Sequence, residues 1–365
     1  MSSSSIPTSA RAVVLQNYVP ESHELDLSSS PSGTFTVKEI PIPSPLPEDS
    51  LLVQTVYLSN DPYPRLFVEK SFKFEREDMV PLSLGTPYPL LGLIGRVVQV
   101  GGNDENGPHK VGDYVEVFQS YWADYVIVRK DKARARKEVP GVSISTYLGA
   151  LGISGASAYW VLHGVLKPKE TDTLVVSAAA GSVGNVAVQF AKKVMGVKRV
   201  VGIAGSDEKC KWVKSIGADE AVNYKSPTFA EDLKKATPDK VDSYFDNVGG
   251  PVLDEVMMRM KPHGVICAIG LMALQKDPQA PVVMRNYSQI LVNRLLLKGF
   301  TLMDYFDRLG EAEEALTLAV SSGKVVLDGA ETVVDIHGNV EEIPRVWNGL
   351  FTGANTGKLI TKVSD

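Results

Sequence analysis

The sequence predicts a two-domain α/β protein, a doubly wound parallel sheet joined to a smaller β-rich domain. Three observations carry this reading. From Thr173 onward short apolar strands alternate with short helices, the pattern of a parallel sheet covered on both faces. A glycine turn stands at the first strand-to-helix step of that region. Before it, about 150 residues hold only strand-like runs separated by Pro and Gly clusters. The 365 residues suit about two domains, and 44% hydrophobic content can fill their cores.

In the first part, Val13–Leu15, Leu51–Tyr57, Arg96–Val100 and Tyr114–Val117 read as strands. The proline-dense stretch Pro41–Pro47 reads as an extended connection or sheet edge, because proline lacks the ladder donor. The second part opens with the buried strand Thr173–Ser177 and a helix running on to Val194. Strands follow at Arg199–Ile203, Glu220–Tyr224, Val241–Phe245, Val265–Gly270 and Leu296–Phe300. Helices at Glu208–Ile216, Phe229–Lys235 and Val252–Met260 separate the earlier ones. A helix over Ile343–Phe351 and a strand at Leu359–Val363 end the chain, and this tail is expected to return to the first domain.

Ala180, Gly181, Ser182, Val183 and Gly184 lie in the turn between the first strand of the alternating region and its helix. This fits the dinucleotide fingerprint, with Ala179 in place of the first glycine. Gly181 admits close approach of a pyrophosphate to the backbone, Gly184 permits tight helix–strand packing, and the helix N-terminus offers N–H groups to an anion. NAD sites usually carry an acidic residue about 20 residues further on, at the tip of the second strand. Here that strand ends Val201-Gly-Ile-Ala-Gly205 without one. Ser206 as helix cap and Lys209 one turn in favour the 2′-phosphate of NADP over NAD. Asp207 and Glu208 count against this if they point inward, and a simply well-capped helix start is the alternative.

Composition removes other classes. The 38 Lys and Arg against 43 Asp and Glu leave a net charge of −5, which argues against a nucleic-acid surface. The basic run Arg129–Lys137 is expected to be a solvated face. No apolar run approaches the roughly 20 residues of a membrane span. Met1–Ile6 lacks basic and apolar signal regions, and two cysteines, Cys210 and Cys267, make no disulfide framework, so a cytoplasmic setting is expected. Two cysteines also rule out a structural zinc site built on three or four thiolates, and the working expectation is no metal.

Several segments together resemble one family. They are Asp61-Pro-Tyr63 with Arg65, Leu148–Gly152, Gly205–Lys209, Asn223-Tyr-Lys225, Tyr244–Gly250 and Gly353–Lys358. The chain resembles the medium-chain dehydrogenase/reductases, and within them the zinc-free branch of leukotriene B4 12-hydroxydehydrogenase/prostaglandin reductase and the alkenal double-bond reductases. Zinc-dependent relatives carry Gly-His-Glu where this chain has Leu91-Gly-Leu-Ile-Gly95, which offers no ligand. The resemblance implies a Rossmann domain over residues 155–324 and a GroES-like catalytic domain from residues 1–154 and 325–365. It further implies a homodimer and NADPH-dependent reduction of the C=C bond of small hydrophobic α,β-unsaturated aldehydes or ketones. In that reaction hydride reaches the β-carbon and a proton the α-carbon, while donors hold the carbonyl oxygen as negative charge develops.

By the same resemblance Lys209 and Tyr224 hold the 2′-phosphate region, Asn247 and Asn355 lie along the cofactor, and Ser157 stands near the family's threonine. Ile269-Gly270 aligns with the family's Cys-Gly, which places Gln275 at its usual tyrosine. Gln275 can donate a hydrogen bond but is no proton source like a phenol. Tyr63 is then the best remaining donor, with a packed turn residue as its alternative reading. Tyr88 and Tyr287 are weaker substrate candidates, each also readable as core or rim. Two other functions stay open: an NADPH quinone oxidoreductase of the same superfamily, and a weakly catalytic NADPH-binding sensor.

Overall fold

The computed structural model describes residues 6–19, 24–70, 81–102, 107–138, 141–273 and 284–365. It divides into two compact units: Met1–Leu148, Val333–Ala354 and Leu359–Asp365 in one, Gly149–Thr332 and Asn355–Lys358 in the other.

The first unit is β-rich. β1 (Ser9–Leu15) and β2 (Phe35–Pro41) form an antiparallel pair. β3 (Ser50–Ser59), β4 (Pro89–Val100), β5 (Tyr114–Tyr121) and β7 (Ala133–Arg136) follow one another in an antiparallel sheet, and β6 (Tyr125–Arg129) pairs on the other side of β3. Nearly every residue of β3 is buried, as its apolar run demands. The core is aromatic at its centre, with ring centroids of Tyr88 and Trp122 4.4 Å apart and those of Trp122 and Trp347 5.4 Å apart. Tyr88 is completely buried there, its hydroxyl donating to the Pro64 carbonyl at 2.5 Å. This corrects its reading as a substrate contact: it is a core residue with no free surface.

A second correction concerns the basic run. Arg129 and Arg134 are exposed, but Arg136 is buried, donating to the Glu116 carboxylate at 2.5 and 2.9 Å with its guanidinium 4.2 Å from the Tyr147 ring centre. A buried arginine is tolerated where a carboxylate and an aromatic face replace its water.

The second unit holds a six-stranded parallel sheet. Its strands are β8 (Thr173–Val176), β9 (Arg199–Ala204), β10 (Glu220–Asn223), β11 (Val241–Asp246), β12 (Met260–Ala268) and β13 (Leu296–Gly299), in the order β10-β9-β8-β11-β12-β13. The chain winds outward from β8 to β10 and then crosses back to β11. β8 and β11 are therefore neighbours at the switch point, where open parallel sheets bind ligands beyond their carboxyl ends.

The helices of this unit are α1 (Ile153–Trp160), α2 (Ser182–Gln189), α3 (Asp207–Ser215), α4 (Phe229–Ala236), α5 (Gly250–Met257), α6 (Ser288–Asn293) and α7 (Leu309–Ser321). Among them α1, α6 and α7 were not expected from the sequence. Near the end of the chain, α8 (Ile343–Thr352) buries Ile343 and Trp347 against the first core. β14 (Glu331–Asp335) and β15 (Lys358–Lys362) extend the first sheet, β15 pairing antiparallel with β3.

Candidate cofactor site

The glycine turn occupies the carboxyl end of β8. Ala178 takes a left-handed conformation (φ 45°), and the backbone then straightens at Gly181 to enter α2. A Cβ on Gly184 would lie 2.2 Å from the Ala178 carbonyl oxygen, so only glycine fits where the helix meets the strand end. No side chain caps the first turn of α2. The Ser182 hydroxyl at this helix start is buried without a hydrogen-bond partner. A buried polar atom lacking a partner at an uncapped helix N-terminus fits an anion that supplies the missing acceptor, as a pyrophosphate would.

The second turn follows β9. Ser206 caps α3, its Oγ accepting from the Lys209 N–H at 3.2 Å. The Tyr224 ring lies over Gly205, where an added Cβ would meet it at 3.0 Å. Lys209 is half-buried; burial first, and then repulsion from Lys225, hold its pKa below the ordinary lysine value. Asp207 and Glu208 are exposed, and the Asn223 amide donates to Asp207 at 2.9 Å. Asp207 is thus held by Asn223, the residue before Tyr224 and Lys225.

At the carboxyl ends of β8 and β11, Asn247 is buried. Its amide donates to the Ser177 carbonyl at 2.7 Å and its N–H to the Ser177 hydroxyl at 2.9 Å. The Ile269 N–H donates to the Asp246 carbonyl at 2.9 Å, so Ile269 leaves β12 beside Asn247. Ser157 is buried in α1. The Asn355 amide donates to the Gly357 carbonyl at 2.7 Å, and the Gly357 N–H donates to the Ala180 carbonyl, also at 2.7 Å.

Tyr63 belongs to the first unit, half-buried at the head of a short 3-10 helix with its ring edge-on to Phe67. Tyr287 is exposed at the start of α6. Gln275 lies outside the described residues. Cys210 and Cys267 are both buried, and burial pushes the Cys267 thiol up to about 12, far from a nucleophile's range. Among the described residues no group of three or more His, Cys, Asp or Glu could hold a metal ion, and no helix is long and apolar enough to cross a membrane.

A family model described as zinc-binding dehydrogenase matches residues 182–321. Over nearly the whole chain the sequence is 34% identical to the 2-alkenal reductase (NADP(+)-dependent) of Nicotiana tabacum, covering 97% of this chain and 98% of that protein. The chain belongs to the medium-chain dehydrogenase/reductases. This medium-chain dehydrogenase/reductase is also 33% identical to the NADPH-dependent curcumin reductase of Escherichia coli, over 93% of its own length and 96% of the relative's. Its fold matches the crystal structure of CurA from Vibrio vulnificus in complex with NADPH, with a TM-score of 0.83 and 30% identity over 97% of this chain and 99% of that one.

Three residues of this medium-chain dehydrogenase/reductase adjoin the candidate site residues without having been singled out by number in the sequence. Gly357 abuts the nucleotide turn, Lys225 adds a second positive charge near Lys209, and Asp246 accepts bonds from the residues around Asn247. A signal for Gly357 and Lys225 lay in the motif segments Gly353–Lys358 and Asn223–Lys225. Asp246 likewise lay within the motif segment Tyr244–Gly250.

Proposed function

We propose that this protein reduces the C=C bond of α,β-unsaturated aldehydes or ketones with NADPH. The observation that carries the reading is the 34% identity, along 97% of the chain, to an NADP-dependent 2-alkenal reductase. The uncapped α2 start with the unpartnered Ser182 hydroxyl supports a pyrophosphate there, and the Gly205, Ser206, Lys209 and Tyr224 turn with Lys225 supports a 2′-phosphate. Asn247, Ile269, Asn355 and Ser157 complete the proposed cofactor contacts.

Bound NADPH would supply the hydride for the β-carbon. The chain's own part is to orient the alkene and donate a hydrogen bond to the carbonyl oxygen, with Tyr63 and Gln275 as the proposed donors. The turn that carries Tyr63 is braced on both sides. The Trp347 indole N–H donates to the Asp61 carbonyl at 2.8 Å, and the buried Arg65–Glu69 pair at 2.9 Å braces the helix that carries it. We read the β-rich unit as the GroES-like substrate domain and the chemistry as metal-free, since Leu91–Gly95 offers no zinc ligand.

As partner we propose a second copy of the chain. Among the described residues β13 is the last strand of its sheet, with Leu296 and Leu297 exposed, and Leu291 and Val292 are exposed on α6. Sedimentation of wild type and Leu297→Glu tests this: a dimer that becomes monomeric on substitution is the expected result.

The experiment for the activity is NADPH consumption with an enal, an acyclic enone, an aryl enone and a quinone, with NADH and Gln275→Tyr alongside. Enals or enones are expected to be reduced with NADPH preferred. Turnover of the quinone alone would point to a quinone oxidoreductase. NADPH binding without any turnover would leave a cofactor-binding sensor.

A further inference from the structure

The switch point between β8 and β11 contains a buried carboxylate that the proposed reaction does not use. Three donors converge on Asp246 Oδ1, the Tyr244 hydroxyl and the Gly249 N–H at 2.9 Å and the Val248 N–H at 3.1 Å, and the Ser177 hydroxyl is shared between this oxygen and the Phe245 carbonyl, 3.3 Å from each. The carbonyl of the same residue accepts from the Ile269 and Gly270 N–H groups at 2.9 and 3.2 Å. Asp246 therefore ties together the carboxyl ends of β8, β11 and β12, the edge of the sheet where a ligand sits. Burial raises its carboxyl pKa, and the converging hydrogen bonds work against that rise. Burying a carboxylate is costly, and here the converging donors are what offsets the cost, so the carboxylate and its partners fix one another's positions.

What depends on it is Asn247. This residue is enclosed between Ser177, which takes both its N–H and its amide hydrogen bonds, and Gly270, where an added Cβ would lie 2.4 Å from the Asn247 carbonyl oxygen. Ser177 in turn donates to Asp246, and Val248 and Gly249, the next two residues, donate to the same oxygen. Gly249 and Gly250 both have positive φ, 70° and 55°, backbone that favours glycine in this turn.

We infer that Asp246 is a positioning residue: its carboxylate holds the Asn247–Gly249 turn, and with it the part of the cofactor site remote from the 2′-phosphate turn. The inference rests on the NADPH reading of the site. Asp246→Asn keeps the shape but replaces a charged acceptor by a neutral amide, one end of which would oppose backbone donors. Tyr244→Phe removes one hydroxyl donor from Oδ1, whereas Ser177→Ala would remove both a donor to Oδ1 and the acceptor of the Asn247 N–H.

The test is binding of two ligands by titration, alongside thermal denaturation of the unliganded chain. NADPH spans the whole proposed site, whereas adenosine 2′,5′-bisphosphate reaches only from the Gly205–Lys209 and Tyr224 end to the first phosphate at the α2 turn and lacks the nicotinamide half. In Asp246→Asn the Kd for NADPH is expected to rise about tenfold, the size of losing a charged hydrogen bond. The Kd for the bisphosphate is expected to stay within about twofold. Tyr244→Phe is expected to show the same selective loss at about threefold, and it carries the test if Asp246→Asn does not fold. A merely structural role predicts a lower Tm with both ligands unaffected, or both weakened in parallel, and either result overturns the inference. If the wild-type chain binds neither ligand, the NADPH reading itself falls; if it binds both and the variants match it, only the role of Asp246 falls.

Discussion

The two turns at the α2 and α3 starts occupy equivalent places, each following a parallel strand and opening a helix, yet they are built on different physics. The α2 turn is defined by what cannot fit: Gly184 has no room for a Cβ, and Gly357 presses on Ala180 from the far end of the chain. The α3 turn is defined by side chains. Ser206 caps the helix, Tyr224 covers Gly205, and Lys209 stands within the field of Lys225. A site for a dinucleotide phosphate can thus be divided between a rigid part, indifferent to which dinucleotide arrives, and a charged part that discriminates.

Substitutions should separate the two. The largest effect is expected from Gly357→Ala, where a Cβ would lie 1.9 Å from the Ala330 carbonyl oxygen and φ is 65°. Overpacking costs about 1–3 kcal/mol and a left-handed alanine about 1–2 kcal/mol more. A lower Tm and parallel losses of NADPH and NADH binding are the expected result; loss of NADPH alone would contradict a rigid turn. Gly184→Ala should behave alike, at about 1–3 kcal/mol, since its φ imposes no such strain.

Lys209→Ala should come next, weakening NADPH about tenfold while leaving NADH unchanged, with a smaller difference at high salt. Equal losses for both dinucleotides in titrations would break the division proposed here. The charge of Lys209 is present below its pKa and lost above it. Because that pKa is lowered, NADPH affinity should fall at a less alkaline pH than with an ordinary lysine. In Lys225→Ala, a titration of Kd against pH should show the fall moving to higher pH, with about threefold weaker binding at neutrality. The smallest effect is expected at Gly205→Ala. Tyr224 is exposed enough to give way, so NADPH affinity should stay within about twofold.

The alternation of strands and helices, the glycine turn before α2 and the missing acid at the tip of β9 are all legible in the sequence. Each follows from residues within a turn or two of one another, where periodicity, capping and backbone sterics act locally. The positions that needed the tertiary structure are polar groups and side chains whose partners lie far along the chain. Tyr88 is readable both as a substrate contact and as core until Pro64 and Trp122 enclose it. Arg136 belongs to a basic run until Glu116, 20 residues away, draws it inward. Asn247 depends on Ser177, 70 residues earlier. Local chemistry decides which elements form and which turn can receive a phosphate. Which charges and hydroxyls are buried is decided only when distant strands supply hydrogen bonds in place of water, because an unpaired buried polar group costs more than local preference can offset.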